Sequence, residues 1–183
     1  MQHKVLSHKI VIQGLLDKSL EVSNDELKNH ILSIENPQKI KEHNYKYTDH
    51  TKIYHLQQYF RENLGSYYQL GLVEKDFNFF SIKSNEETNF MYDIDHNDLP
   101  NSIDYHLLYC LDAEEKKANL ILEYDDGRYL NQKYDVLLKP KHFILFSSDI
   151  RYKIINHTKN KSIFLHFTYH NYFKNVIMNG DLK

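Results

Sequence analysis

From about residue 70 onward the hydrophobic pattern of the chain changes period, and that change limits the fold more than any single motif does. Short runs rich in Ile, Leu, Phe and Tyr recur between polar turns: DFNFFSIK, NFMYDI, DYHLLYCL, NLILEY, YDVLLK, HFILF, RYKIIN and SIFLHF. Each run has the length of a strand, and Asp125, Asp126 and Gly127, with His157 to Asn160, supply turn signals between them. Helical patterns do not intervene, which disfavours a parallel sheet of βαβ units. The expected fold is therefore mainly β within an α+β chain. It is a double-layered jelly roll or a small barrel, its sheet backed by the N-terminal helices.

The helices are signposted separately. Ser23 to Glu26 spell a capping box, in which the Ser23 hydroxyl caps the Glu26 N–H, and Val22 and Leu27 fall at staple positions. Leu27, Ile31 and Ile34 then form one apolar stripe, and Pro37 ends the helix. A second helix is expected from Thr51 to Leu64, because Ile53, Leu56, Phe60 and Leu64 share a face and Gly65 follows as a stop. The polar stretch NPQKIKEHNYKYTDH reads as the connection between the two helices. With 183 residues, one core is affordable and two are marginal. We expect a single domain over 1–183: a helical N-terminal part at 1–70, a β-helix core at 71–170 and a tail at 171–183.

Composition narrows the function classes. A net charge of -2 without any long Lys/Arg cluster gives no push toward nucleic acid. No apolar run nears the roughly 18 residues that span a bilayer, and MQHKVLSHKIV lacks a secretory h-region, so a cytoplasmic protein is expected. One cysteine, Cys110, excludes an internal disulfide and sits among leucines as a buried, inert thiol. Only Arg61, Arg128 and Arg151 are arginine, and the wealth of Asn, Ile, Lys and Tyr reads as the codon bias of an AT-rich genome.

Twelve histidines raise the question of a metal. His3, His8, His30, His43 and His50 lie in polar N-terminal segments without a partner at ligand spacing, His157 is in a turn, and His170 is near the tail. His55 would need a second histidine where Tyr59 stands to make a helical zinc pair. His106, His142 and His166 lie inside strands, where alternation can turn them into the barrel. A lone strand histidine is more often core or surface than a ligand. His96 and Asp98, within DIDHNDLPN, stand at i and i+2, so that on an extended stretch both side chains share a face and can hold one ion. The same nine residues are rich in turn formers, and an acidic turn is the competing reading.

The order of these segments resembles the 2-oxoglutarate and Fe(II) dependent oxygenases of the prolyl-hydroxylase and phytanoyl-hydroxylase type. His96-Asn97-Asp98 stands for the family's HxD, followed by HLLYCLD, NLILEY, LKPKHFILFSS and KSIFLHF. The same segments also resemble a cupin, whose second motif can be laid over SSDIRYKIIN, and the chain is similar to marine bacteriophage proteins. The resemblance implies Fe(II) held by His96 and Asp98, and 2-oxoglutarate anchored near Lys161, Arg151 and Tyr152. It also implies hydroxylation of a small molecule or a protein side chain. A dimer formed by pairing of edge strands is left open.

The chain departs from the family pattern at three places. Tyr152 stands where the distal metal histidine is expected, Lys161 where an arginine grips the 2-oxoglutarate carboxylate, and His142 where a glycine follows the proline. Lysine holds a carboxylate as a point charge, without the bidentate fork of arginine. A phenol has an ordinary pKa of about 10 and ligates well only when strongly acidified. Three outcomes follow: an inward-turned His142 or His166 supplies the third ligand, Tyr152 ligates, or the iron site is degenerate. In the last case the protein is a non-catalytic cupin-like binding module, or a phage structural or host-modulating protein. Tyr92, Tyr105, Tyr109, Tyr124, Tyr134 and Tyr152 are then candidates to line its pocket.

Overall fold

The computed structural model describes residues 9–16, 23–32, 50–68, 70–94, 98, 101–114, 117–125 and 129–172. His96, Ile34, Pro37, Asp126, Gly127, nearly all of the inter-helix connection and most of the expected tail lie outside them.

The capping box forms as its sequence requires. The first helix, α1, covers Asn24–Leu32, and the Glu26 N–H donates to Ser23 Oγ at 3.3 Å. Asn24 then ties the helix to the sheet: its amide donates to the Leu111 carbonyl at 3.1 Å and accepts the Tyr109 hydroxyl at 2.6 Å. Helix α2 covers His50–Tyr68, and Ile53, Leu56, Phe60 and Leu64 are all buried on one side. Gly65 does not end it. The Leu70 N–H donates back to the Gly65 carbonyl at 3.0 Å, the six-residue closure of a helix end, so α2 runs three residues past the expected stop.

Eight strands follow the expected order with two differences. They are β1 Val11–Leu15, β2 Leu72–Ile82, β3 Tyr105–Asp112, β4 Ala118–Tyr124, β5 Gln132–Leu138, β6 His142–Ser147, β7 Arg151–Asn156 and β8 Ser162–Asn171. First, the N-terminal part carries a strand besides its helices: β1 lies antiparallel on β6, from Val11 against Phe146 to Leu15 against His142. Gly14 is required there, because a Cβ at that position would meet the Phe143 ring at 2.7 Å. Second, NFMYDI is not a strand; it touches β7 through a single bridge at Met91, and Glu87 just before it makes another.

All the strand pairings are antiparallel and fall into two sheets, a five-stranded one ordered β1-β6-β3-β8-β2 and a three-stranded one ordered β5-β4-β7. Side-chain alternation sorts the core into two layers. Leu107, Tyr109, Leu145, Leu165 and Phe167 face the helices and pack on Leu56 and Phe60. Leu108, Cys110, Ile144, Phe146 and Phe164 face the other way and meet Leu120, Leu122, Tyr152 and Ile154 between the sheets. Strands β3 and β8 are central and covered on both faces, so they read as continuous apolar runs without alternation. Cys110 is buried there, and burial pushes its thiol pKa up, consistent with an inert side chain.

Asn156 fastens one end of the barrel. Its buried amide nitrogen shares its two protons among the carbonyls of Ile82, Lys83 and Asn160, at 3.0, 2.9 and 2.9 Å. Its oxygen accepts the Thr158 N–H and the Ser162 hydroxyl, each at 3.1 Å.

Candidate functional site

The polar group inside the barrel is built by β3, β7, β8 and the segment before β3. His106 on β3 and His166 on β8 share the parity of Leu108 and Phe164, so both imidazoles point between the sheets. His106 Nδ1 lies 2.9 Å from His166 Nε2 within hydrogen-bond distance, and the rings meet edge to edge, their centroids 5.1 Å apart and their planes 21° from parallel. Phe146 and Tyr152 pack on His106 with ring centroids 5.2 and 5.1 Å away.

Asp93 enters this group through backbone pairing with β7. The Met91 N–H donates to the Tyr152 carbonyl at 2.7 Å, and the Tyr152 N–H returns to the Met91 carbonyl at 3.1 Å. Met91 packs on the inter-sheet core. Two residues on along an extended stretch, Asp93 falls on the same side. Its Oδ2 is 3.8 Å from His106 Nε2, and its carboxylate accepts the Tyr152 hydroxyl.

Electrostatics fix the protonation states. Burial, and then the neighbouring His166, hold the His106 pKa well below the ordinary 6.5, so the imidazole is neutral at pH 7. Burial and the Asp93 charge push the Tyr152 phenol up, so it remains a hydroxyl donor. His106 Nε2 is completely buried and has no hydrogen-bond partner.

The other sequence-derived candidates are placed elsewhere. Asp98 is exposed, and its carboxylate accepts the Asn101 amide at 3.1 and 3.0 Å. Arg151 is exposed and bonded to Glu123 at 2.8 Å, with its guanidinium 5.1 Å above the Phe90 ring. Lys161 is exposed in the turn before β8 and shares the parity of Ile163 and Leu165, away from the barrel interior. His142 lies four residues along β6 from Phe146, about 13 Å away. It lines a surface cleft with Gln13, Leu15 and Leu137. Of the six tyrosines, Tyr152 is inside and Tyr124 packs at the edge of that core. Tyr105 and Tyr109 belong to the helix-facing layer, and Tyr92 and Tyr134 are exposed.

Asp93, His106, Tyr152 and His166 are thus the residues brought together. Asp93 is legible in sequence only as the carboxylate two positions after Met91 in NFMYDI, a weaker signal than the neighbouring HxD. Among the described residues, no three His, Cys, Asp or Glu side chains converge as a metal-binding group. Tyr152 keeps its proton, one nitrogen of each imidazole faces the other ring, and Arg151 and Lys161 point outward. Among the described residues this group therefore offers one carboxylate and one unpartnered imidazole nitrogen, and His96 lies outside them.

No family model and no curated protein matches the chain. Solved structures do. A non-heme α-ketoglutarate dependent epimerase from nogalamycin biosynthesis aligns with TM-score 0.60 and 10% identity over 89% of this chain and 77% of its own. A Pseudomonas putida prolyl-4-hydroxylase aligns with TM-score 0.58 and 13% identity over 88% of both chains. The viral collagen prolyl hydroxylase of Paramecium Bursaria Chlorella virus-1 gives 0.57 and 16% over 90% of this chain and 96% of its own. The protein therefore has the double-stranded β-helix fold of the 2-oxoglutarate/Fe(II) oxygenases. No helix among the described residues is long and apolar enough to cross a membrane.

Proposed function

We propose that this protein is an oxygenase-like barrel with a degenerate iron site, acting as a binding module in the cytoplasm rather than as a dioxygenase. One observation carries the reading. Tyr152, at the position where the sequence pattern calls for the last iron ligand, is a buried neutral phenol that donates to Asp93. A protonated phenol is a poor ligand. The partner is a small molecule or a protein side chain. A cleft of about 640 Å³ between α2 and β1, lined by Ile12, Gln13, Glu62, Leu64, Tyr68 and Phe143, offers it both apolar and polar contacts. The arginine-poor composition agrees with a phage protein working in an infected bacterium.

The fold likeness to hydroxylases favours one rival reading. In it, His96 and Asp98 hold Fe(II), Lys161 or Arg151 holds 2-oxoglutarate, and a small molecule or side chain is hydroxylated. Succinate formation from 2-oxoglutarate, measured with anaerobically loaded Fe(II) and then oxygen, decides between the two. The binding module gives only the background of iron in buffer. Succinate above that background, lost in His96→Ala, would establish the enzyme and end the binding-module reading.

A further inference from the structure

The buried, unpartnered nitrogen of His106 calls for a physical account. A buried polar atom without a hydrogen bond costs about 1 to 3 kcal/mol, and such an atom in a native fold commonly marks an ordered water or ion. His106 Nε2 faces the Asp93 carboxylate across 3.8 Å, too far for a hydrogen bond. Two donors bound to one ion at about 2.1 Å each, and 3.8 Å apart, subtend about 130° at it. That is a wide angle, and a small rotation of the half-exposed Asp93 side chain narrows it toward tetrahedral.

The surroundings also match those of a metal-binding imidazole. A histidine that binds through Nε2 must keep its proton on Nδ1, and it usually donates that proton to a second group that fixes the ring. Here His106 Nδ1 lies 2.9 Å from His166 Nε2, and Phe146 and Tyr152, in contact with each other, both pack against the ring. The carboxylate is oriented in turn by the Tyr152 hydroxyl.

We propose that His106 Nε2 and Asp93 form a binding site for a borderline divalent cation such as Zn(II), with His166 and Tyr152 as positioning residues. The neutral imidazole and single carboxylate suit Zn(II) and related ions better than Mg(II) or Ca(II), which prefer all-oxygen shells. Asp93, with its side chain 47% exposed, forms the solvent-side wall of the site, and with only two protein donors the remaining positions of a bound ion would fall to water from that side. This site is distinct from the His96–Asp98 pair and does not depend on 2-oxoglutarate.

The test uses the full chain stripped with chelator, then titrated with Zn(II) or Mg(II), and read by thermal melting and by imidazole 15N NMR. Zn(II) should raise the melting temperature and shift the His106 nitrogens, with the Nδ1 proton held toward His166; Mg(II) should do neither. Asp93→Asn preserves shape, and His106→Gln removes the imidazole; each should weaken Zn(II) binding at least tenfold. The proposal is overturned if Zn(II) changes neither signal. It is equally overturned if binding survives Asp93→Asn, or if binding is lost in His96→Ala but kept in Asp93→Asn.

Discussion

Replacing Asn156 by alanine removes the fastening that joins the ends of β2 and β7 to the turn before β8. The side chain has five hydrogen-bond contacts in a buried setting, with its two amide protons shared among three carbonyls. Counted as four full bonds at a net worth of about 1 kcal/mol each, their loss amounts to about 4 kcal/mol as an upper figure. Two acceptors keep other partners: the Lys83 carbonyl retains the Glu86 N–H at 3.3 Å, and the Asn160 carbonyl retains the Thr158 hydroxyl. The buried Thr158 N–H is left facing a small cavity. About 3 to 4 kcal/mol is therefore expected, a large part of the 5 to 15 kcal/mol typical of a folded domain. Urea denaturation followed by circular dichroism should show a midpoint lowered by about 1.5 to 2 M at an m-value of about 2 kcal/mol/M. Ser162→Ala, which removes one of these contacts, should cost about 1 kcal/mol and serves as the internal scale. Asn156→Asp adds a check of sign. Its carboxylate would face three carbonyl oxygens, so its folded pKa would be raised above the unfolded value. Its destabilisation would then be greatest at neutral pH and would diminish as pH falls. A loss below about 1 kcal/mol for Asn156→Ala, the size usual for a surface residue, would refute the hub.

Two further predictions concern the edges of the fold. Desolvation, and then the charge of Asp76, raise the Glu74 carboxyl from its ordinary 4.5 to about 7, against a smaller opposing effect of Arg61. A raised acid contributes stability that is present below 4.5 and lost as pH rises through about 7, so the melting temperature should fall from pH 6 to pH 8. Glu74→Gln should flatten that slope, and an unchanged slope would count against the assignment. Lys141 holds a φ of 69°, a left-handed conformation that suits glycine. Lys141→Gly should therefore stabilise by about 0.5 to 1 kcal/mol in the same urea assay, and a loss of stability would contradict the strain argument.

Local rules carried much of the fold. The capping box placed the start of α1 within a residue, and the stripe Ile53, Leu56, Phe60 and Leu64 located α2, because both signals are local to the helix. The end of α2 was less legible: the Leu70 N–H satisfies the Gly65 carbonyl from beyond the helix. Strand β1 escaped notice because its pairing is with β6, at the far end of the chain.

The site was harder to read for the same reason. Alternation can tell which residues share a face, but β3 and β8 are buried on both faces, so nothing in YHLLYCLD says whether His106 or Leu107 turns toward the helices. Asp93 is selected by the pairing of Met91 with Tyr152, a contact between distant segments. A sequence pattern favours the compact HxD instead. In the turn after Pro140 the positive φ falls on Lys141, one residue before His142.

The placement of β1 has a consequence for how the chain acquires its structure. Ile10 and Ser147 are bonded across 137 positions, and β1 lies at the rim of the five-stranded sheet. During synthesis the stretch VIQGL emerges early, yet the strand it pairs with is made only after most of the barrel. It must wait as an uncharged apolar segment while β3 and β6 are translated. Closing so long a loop is costly in chain entropy, so β1 is expected to dock after the central strands have joined. The waiting segment is where a growing chain of this fold is most open to capture by a chaperone or by its neighbours.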